Sequence, residues 1–433
     1  MKKRFAIFAL IIIAVGNIAL SQQVDLKGLI ERKGARRVRI AVPELTIKGL
    51  KNARLMTAAS TIISCLKYDL DFSLVFSVIG ENEMNALPPF DDKVFSFSTF
   101  EGIGAESLVA GNIRLEGGKI ILEARVYDVK TKQMVLGKRY RGEPSQARFI
   151  AHNLADEIVL RYTGKPGIAK SKIAFSSNKE EAKELFLMDY DGANIRKVTN
   201  FKSITIFPAL TPTGDKIAFT SFFSGFPRLY LLTLAPGKTK MLFGGPGLNS
   251  TPSWSPDGRK VAFTSSKDGN AEIYILDIDT GKLRRVTHSP AIDTNPCFSP
   301  TGREIAFTSD RGGSPQIYIM DVDGANIRRL TYQGRYNEGA AWSPDGLKIA
   351  YCSRIGVLFD IFMIDLKDNI PYRLTIDAGS NECPVWSPDG KHIAFSSNRN
   401  GRYHIYVMNA DGAEPRRLTN GGNNFTPSWS RGE

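Results

Sequence analysis

The sequence predicts two domains: a small α/β domain with a mixed sheet and two helices, then an all-β six-bladed β-propeller. Three observations lead there. A 44-residue period runs through residues 166–433, and the register of its central strand is never broken. Each period carries four strand signals separated by turns. The stretch 22–165 carries no repeat and mixes strand and helix patterns. A period of about 40–45 residues with four strands per unit marks a propeller. One four-stranded sheet cannot bury both faces alone, whereas a ring of them can.

The unit is clearest at Val385-Trp386-Ser387-Pro388-Asp389-Gly390, followed by the strand Ile393-Ala394-Phe395. Proline pre-sets φ at the second turn position, aspartate suits the third, and glycine closes a type I turn. The strand triplet begins at Ile173, Ile217, Val261, Ile305, Ile349 and Ile393, each 44 residues after the last. The turn recurs with Trp254, Pro256 and Gly258, with Trp342, Pro344 and Gly346, and with Trp386, Pro388 and Gly390. Pro212 and Pro300 keep the register, although Leu210 and Phe298 replace tryptophan and Thr213 and Thr301 replace the turn aspartate. The first repeat lacks the turn segment, while an orphan strand, Phe425–Ser430, follows the last. That strand completes the first blade and closes the ring, which removes open sheet edges.

Ahead of the ring, Met1–Ser21 reads as a cleavable signal peptide: a basic start at Lys2-Lys3-Arg4, an apolar run from Phe5 to Val15, and small residues at Ala19 and Ser21. The run is too short and too broken by Gly16-Asn17 to span a bilayer, which needs about 20 apolar residues. The α/β domain, residues 22–165, opens with a strand at Arg36–Val42, stopped by Pro43. Apolar spacing over Lys51–Leu66 predicts a helix whose buried side includes Leu55, Met56, Ile62 and Leu66. A strand follows at Phe72–Ile79, then a long loop over 80–100. Strands are expected at Leu108–Arg114, Lys119–Tyr127 and Gln133–Tyr140, the first two joined by a hairpin turn at Gly117-Gly118. A helix over Ala147–Tyr162, with Phe149, Ile150, Leu154, Ile158 and Leu160 on its apolar side, ends at the linker Gly164-Lys165-Pro166-Gly167.

The net charge of +13 is spread evenly: +5 in residues 22–165, +5 in 166–433, and three from the basic start. With no polybasic block, a solvated surface is the reading, and no nucleic-acid function is expected. Cys65, Cys297, Cys352 and Cys383 form no Cys-x-x-Cys pair, so zinc and thioredoxin-like chemistry are not indicated. Asp189-Tyr190-Asp191-Gly192 and Asp321-Val322-Asp323-Gly324 begin like a calcium loop, but Asn200 and Tyr332 stand where the bidentate glutamate belongs; they read as turns. His152, His288, His392 and His404 show no ligand spacing and read as surface or edge residues. Arg284-Arg285, Arg328-Arg329 and Arg416-Arg417 fall on the outermost strands, where charge discourages edge pairing. No catalytic residue, metal or cofactor is indicated.

Asparagine and acidic residues recur where each inner strand begins: Asn249, Asp293, Asn295, Asn337, Glu338, Asn381 and Glu382. Rotation about the ring axis brings these positions to one mouth of the channel. Two readings are open there: turn chemistry, since asparagine favours turns, or a concave polar binding site.

With the leader, the α/β domain, six repeats and the closing Pro427-Ser428-Trp429-Ser430 in place, the chain resembles the TolB family along its whole length. The resemblance implies a monomeric, non-catalytic scaffold of the periplasmic Tol–Pal system, which supports outer-membrane integrity and constriction during division. It implies that a peptidoglycan-associated lipoprotein, Pal, docks at the channel mouth, where the seven residues above would meet it. It also implies contact with the inner-membrane protein TolA through the N-terminal segment, here Gln22–Glu31. Rival readings for such a ring are an enzyme, of the lactonase or quinone-dependent sugar dehydrogenase type, and a sugar- or peptidoglycan-binding sensor. The gate of a serine peptidase would need a hydrolase domain with Gly-x-Ser-x-Gly, which the chain lacks.

Overall fold

A computed structural model describes residues 36–50 and 52–430. The expected signal peptide and the segment Gln22–Glu31 lie outside the described residues. Among the described residues, no helix is long and apolar enough to cross a membrane.

The N-terminal domain is built on a mixed sheet in the order β3-β1-β4-β5-β6. Its strands are β1 (Val38–Ala41), β2 (Thr46–Lys48), β3 (Phe76–Val78), β4 (Ser107–Glu116), β5 (Lys119–Asp128) and β6 (Met134–Gly142). Strand β1 pairs parallel with β3 and β4. Beyond Pro43, β2 pairs parallel with the far half of β4. Strands β4, β5 and β6 are antiparallel, with Gly117 and Gly118 at positive φ in the expected hairpin turn. Side chains alternate across the sheet: Ile40 and Val109 face one cluster, Ala41 and Leu108 the other.

Helices α1 (Ala53–Phe72) and α4 (Ala147–Thr163) cover the first face, both in the cluster that holds Ile40 and Val109. Asn52 caps α1 by accepting the Leu55 N–H at 2.8 Å, and Gly164 ends α4 at φ +71°. Helix α1 continues six residues past the expected end at Leu66, so Phe72 is helical and the following strand shrinks to three residues. Met56, Phe149 and Leu160, expected on buried faces, are exposed. The segment 80–100 is not a bare loop. It holds α2 (Glu81–Asn85) and starts α3 (Phe97–Gly102), because Phe90, Phe95, Phe97 and Phe100 pack as a cluster on the second face.

Six sheets of four antiparallel strands make the propeller. The inner strands of blades 2 to 6 are Thr205–Leu210, Asn249–Trp254, Asp293–Phe298, Asn337–Trp342 and Asn381–Trp386. Blade 1 takes its inner strand from the far end of the chain: Asn424–Ser430 pairs with Lys172–Ser177, placing Trp429 opposite Ile173. The ring is closed as expected, and Trp429 Nε1 donates to Ser171 Oγ at 2.9 Å. In every blade the aromatic of the second strand faces an aromatic of the third, with centroids 5.8–6.0 Å apart. The turns stack around the ring: a β-carbon on Gly346, at φ +76°, would lie 3.3 Å from Pro300 of the preceding blade.

The described residues form one compact unit. The N-terminal domain meets blades 1 and 6 at the turn end of their inner strands. Lys391 Nζ donates to Ser73 O at 2.6 Å, and the His392 ring stacks on Phe72 at 3.8 Å and 8°. Asp69 of α1 is buried and accepts from His152 Nδ1 of α4 at 2.7 Å and from the Tyr190 hydroxyl of blade 1. Arg148 pairs with Asp191 at 2.5 Å. The Asp-Gly turn that resembled a calcium loop thus serves as a domain contact. One apolar cluster runs from Leu55 and Ile158 through to Phe175, Tyr190 and Trp429. His152, His392 and His404 are buried, which corrects the expectation of surface or edge residues; His288 is exposed.

Candidate functional site

All six inner strands run from one mouth of the channel toward the N-terminal domain. Each contains a bulge two residues in, where the backbone turns left-handed at Phe207, Thr251, Asn295, Gly339, Cys383 and Thr426. A positive φ strains every non-glycine residue there, and neighbouring blades hold the strain. Asn295 N–H donates to Thr264 Oγ1 at 3.1 Å, Gly339 N–H to Thr308 Oγ1 at 3.3 Å, and Thr426 N–H to Ser396 Oγ at 3.1 Å. At the Cys383 bulge the acceptor is Cys352 Sγ, at 3.1 Å. All four cysteines are free. Burial pushes the Cys352 thiol well above its ordinary range and the Cys383 thiol up to about 12, against nucleophilic chemistry.

The seven expected mouth residues divide in two. Asn249, Asp293, Asn337 and Asn381 open their inner strands, but their side chains are fully buried and turned into the blades. Asn249 Nδ2 donates to Gly245 O at 2.8 Å and its Oδ1 accepts from Ser265 at 2.7 Å. Asp293 pairs with Arg311 at 2.8 Å. Asn337 donates to Gln316 at 2.8 Å, and Asn381 to Asp360 at 3.0 Å. These four hold the rim and cannot themselves touch a partner, a correction to the sequence expectation. An unpaired buried polar side chain costs about 1–3 kcal/mol, so each is drawn to a polar group within the blades.

For Asn337 and Asn381 that polar group belongs to a device the sequence reading missed. Glu184, Glu272, Gln316 and His404 begin the third strands of four blades, Asp360 stands at the equivalent position two residues into the longer third strand of blade 5, and all five are buried. A threonine one strand on, at Thr199, Thr287, Thr331 or Thr375, donates to Glu184, Glu272, Gln316 and Asp360 respectively at 2.5–2.8 Å. Its oxygen accepts a backbone N–H at 2.9 Å in each case. The signal was available: these threonines recur at multiples of 44 residues. Blade 2 breaks the pattern with Arg228 and Phe243.

Asn295, Glu338 and Glu382 are the members left partly exposed. Glu338 Oε2 accepts from the Tyr336 hydroxyl at 3.2 Å. Glu382 Oε1 accepts from Tyr403 at 2.7 Å and from Ser380 at 2.8 Å. Burial and the neighbouring Glu382 charge raise the Glu338 carboxyl above its ordinary range, against the hydrogen bond from Tyr336. Burial also pushes the Tyr403 hydroxyl up to about 12, so it stays protonated and donates. The arrangement is two carboxylates on rigid neighbouring strands, each oriented by a tyrosine. Among the described residues, Glu338 Oε1 and Glu382 Oε2 accept no side-chain hydrogen bond. Among the described residues, no three acidic, cysteine or histidine side chains are placed to hold a metal ion.

Comparison with known proteins covers both domains. A family model described as "TolB beta propeller domain" matches residues 159–359 and 353–433, and one described as "TolB amino-terminal domain" matches residues 29–135. A "Protein TolB homolog" of Chlorobium chlorochromatii is 38% identical over 199 residues, 46% of this chain and 44% of that protein. A "Tol-Pal system protein TolB" of Geobacter metallireducens is 41% identical over 152 residues, 35% of each chain. The chain thus spans less than half the length of these curated relatives. A crystal structure of TolB from Acinetobacter baumannii superposes with a TM-score of 0.79 at 29% identity, over 92% of this chain and 98% of that one.

Proposed function

The chain belongs to the TolB family, and from that premise we propose that it is a periplasmic, non-catalytic docking scaffold of a Tol–Pal system, with the channel mouth as its binding site. The observation that carries the reading is the pair of oriented, partly exposed carboxylates, Glu338 and Glu382, just inside the mouth. They sit on strands locked by neighbouring blades, so a partner pays little to order them. The partner of this reading is a Pal-type lipoprotein. The system's role in outer-membrane integrity and constriction belongs to the same proposal. So does a TolA-type contact through Gln22–Glu31, which rests on the family resemblance alone.

The test is calorimetric titration of lipid-free Pal-type lipoprotein into the mature protein. Breaking one side of a buried charged hydrogen bond costs about 2–5 kcal/mol of binding. Glu338→Ala with Glu382→Ala is therefore expected to weaken binding by an order of magnitude or more without lowering the melting temperature. Changing Arg328 and Arg329, on an outermost strand, is expected to leave it unchanged. Loss of binding in the arginine variant with retention in the glutamate variant moves the site away from the mouth.

A further inference from the structure

The residue just before each inner strand is held in place by one repeated bond. Its carbonyl accepts the N–H of a residue in the hairpin between the second and third strands: Phe222 to Ile204, Ser266 to Leu248, Asp310 to Ile292, Arg354 to Tyr336, Asn398 to Ser380 and Asn178 to Asn423, at 2.9–3.4 Å. Six side chains are thereby presented around the mouth at related positions. In blades 2, 3 and 4 they are Ile204, Leu248 and Ile292, exposed by 51%, 39% and 51%. In blades 5, 6 and 1 they are Tyr336, Ser380 and Asn423, which spend their polar atoms on Glu338, Glu382 and Tyr403 N–H.

At these six positions the rim is two unlike halves, although the blade 5 hairpin beside Tyr336 also exposes Ile355, Val357 and Leu358, by 41%, 83% and 43%. Single exposed aliphatic residues are ordinary, but three at consecutive symmetry-related positions form an arc. Blade 2 widens it: Phe223 and Phe226, on the hairpin beside Ile204, are 59% and 65% exposed. Both channel carboxylates lie inside the other half. Nothing in the repeat requires this split, because the backbone bond that presents the six residues is indifferent to side chain.

We infer that the mouth recognises a folded protein domain whose own contact face is divided. An apolar patch lies on blades 2 to 4, and a cationic or N–H-donating side chain reaches Glu338 and Glu382. Charge complementarity fixes the rotational setting, since only one placement satisfies both halves at once. A short basic peptide alone would leave the apolar arc in water, and an apolar helix alone would leave the carboxylates unpaired.

The inference rests on the mouth being the docking site, and the experiment separates the two. Lipid-free Pal-type lipoprotein is titrated at low and high salt into wild type, an Ile204→Asp/Ile292→Asp variant and a Glu338→Gln/Glu382→Gln variant, each checked by circular dichroism melting. Expected are a loss of at least tenfold in the aspartate variant with the salt dependence kept, and a loss in the glutamine variant with the salt dependence flattened. If the aspartate variant binds like wild type while the glutamine variant loses the partner, the division is overturned and the mouth remains the site. If both variants bind like wild type, or wild type fails to bind, the docking reading falls and this inference with it.

Discussion

His392 and Asp156 titrate in opposite senses at the same domain boundary. Burial, then the charges of Lys391, Arg416 and Arg37, lowers the His392 imidazole to about 3. A depressed base contributes stability above its unfolded value of 6.5, and that stability is lost as pH falls toward the folded value. Burial raises the Asp156 carboxyl from 3.8 to about 6, opposed by the Ala169 N–H it accepts at 2.8 Å. A raised acid contributes stability below its unfolded value, lost as pH rises through about 6. His392→Gln is therefore expected to flatten the fall in melting temperature between pH 6.5 and 4, a window worth up to ~3 kcal/mol. Asp156→Asn is expected to gain on wild type between pH 4 and 7, by about 3 kcal/mol at most. Melting curves that stay parallel to wild type across both windows contradict the assignment. The burial of His392 was not legible in the repeat. Equivalent positions hold Lys172, Lys216, Lys260, Glu304 and Lys348. It is covered by Phe72, from another domain, and the repeat carries no record of that contact.

At the scale of strands and blades the sequence was most legible, because six copies of one pattern report the same geometry six times. The closing strand was readable for that reason: it matches Ser250–Ser255 nearly letter for letter. What a pattern of residue types cannot carry is which way a polar side chain turns at a strand end. Asn337 looked like a rim residue, but its acceptor, Gln316, stands 21 positions earlier on another strand of the ring. Likewise, both Trp429 and Phe425 lie on the closing strand, yet Trp429 is buried and Phe425 only partly so. Trp429→Ala is expected to cost about 3–5 kcal/mol and Phe425→Ala clearly less. Deleting residues 424–433 removes the strand outright and exposes the second strand of blade 1 as an edge. Aggregation or a melting temperature many degrees lower is expected, and an unchanged melting curve excludes this closure.

At the scale of the molecule, the two domains share one apolar cluster and a buried polar contact set between Asp69, His152 and Tyr190. Burial raises the Asp69 carboxyl, and the hydrogen bonds from His152 and Tyr190 oppose it. Tyr190→Phe removes one donor and leaves the carboxylate oxygen it served buried and unpaired, a cost of about 1–3 kcal/mol. Faster proteolysis at the 164–167 linker, with the mouth still competent to bind, is the expected outcome. Cleavage at the wild-type rate shows that the apolar cluster alone holds the domains.

The origin of blade 1 also sets a schedule. Its last strand lies about 250 positions from the strand it joins, the separation spanned by the Ser176 and Thr426 hydroxyls. Contacts that distant in sequence form late, because a long loop must close before they are rewarded. Trp429 belongs to the same cluster as the α1 and α4 helices, so part of the apolar surface on which the N-terminal domain packs is absent until the final strand arrives. Until then the ring stays open at the second strand of blade 1.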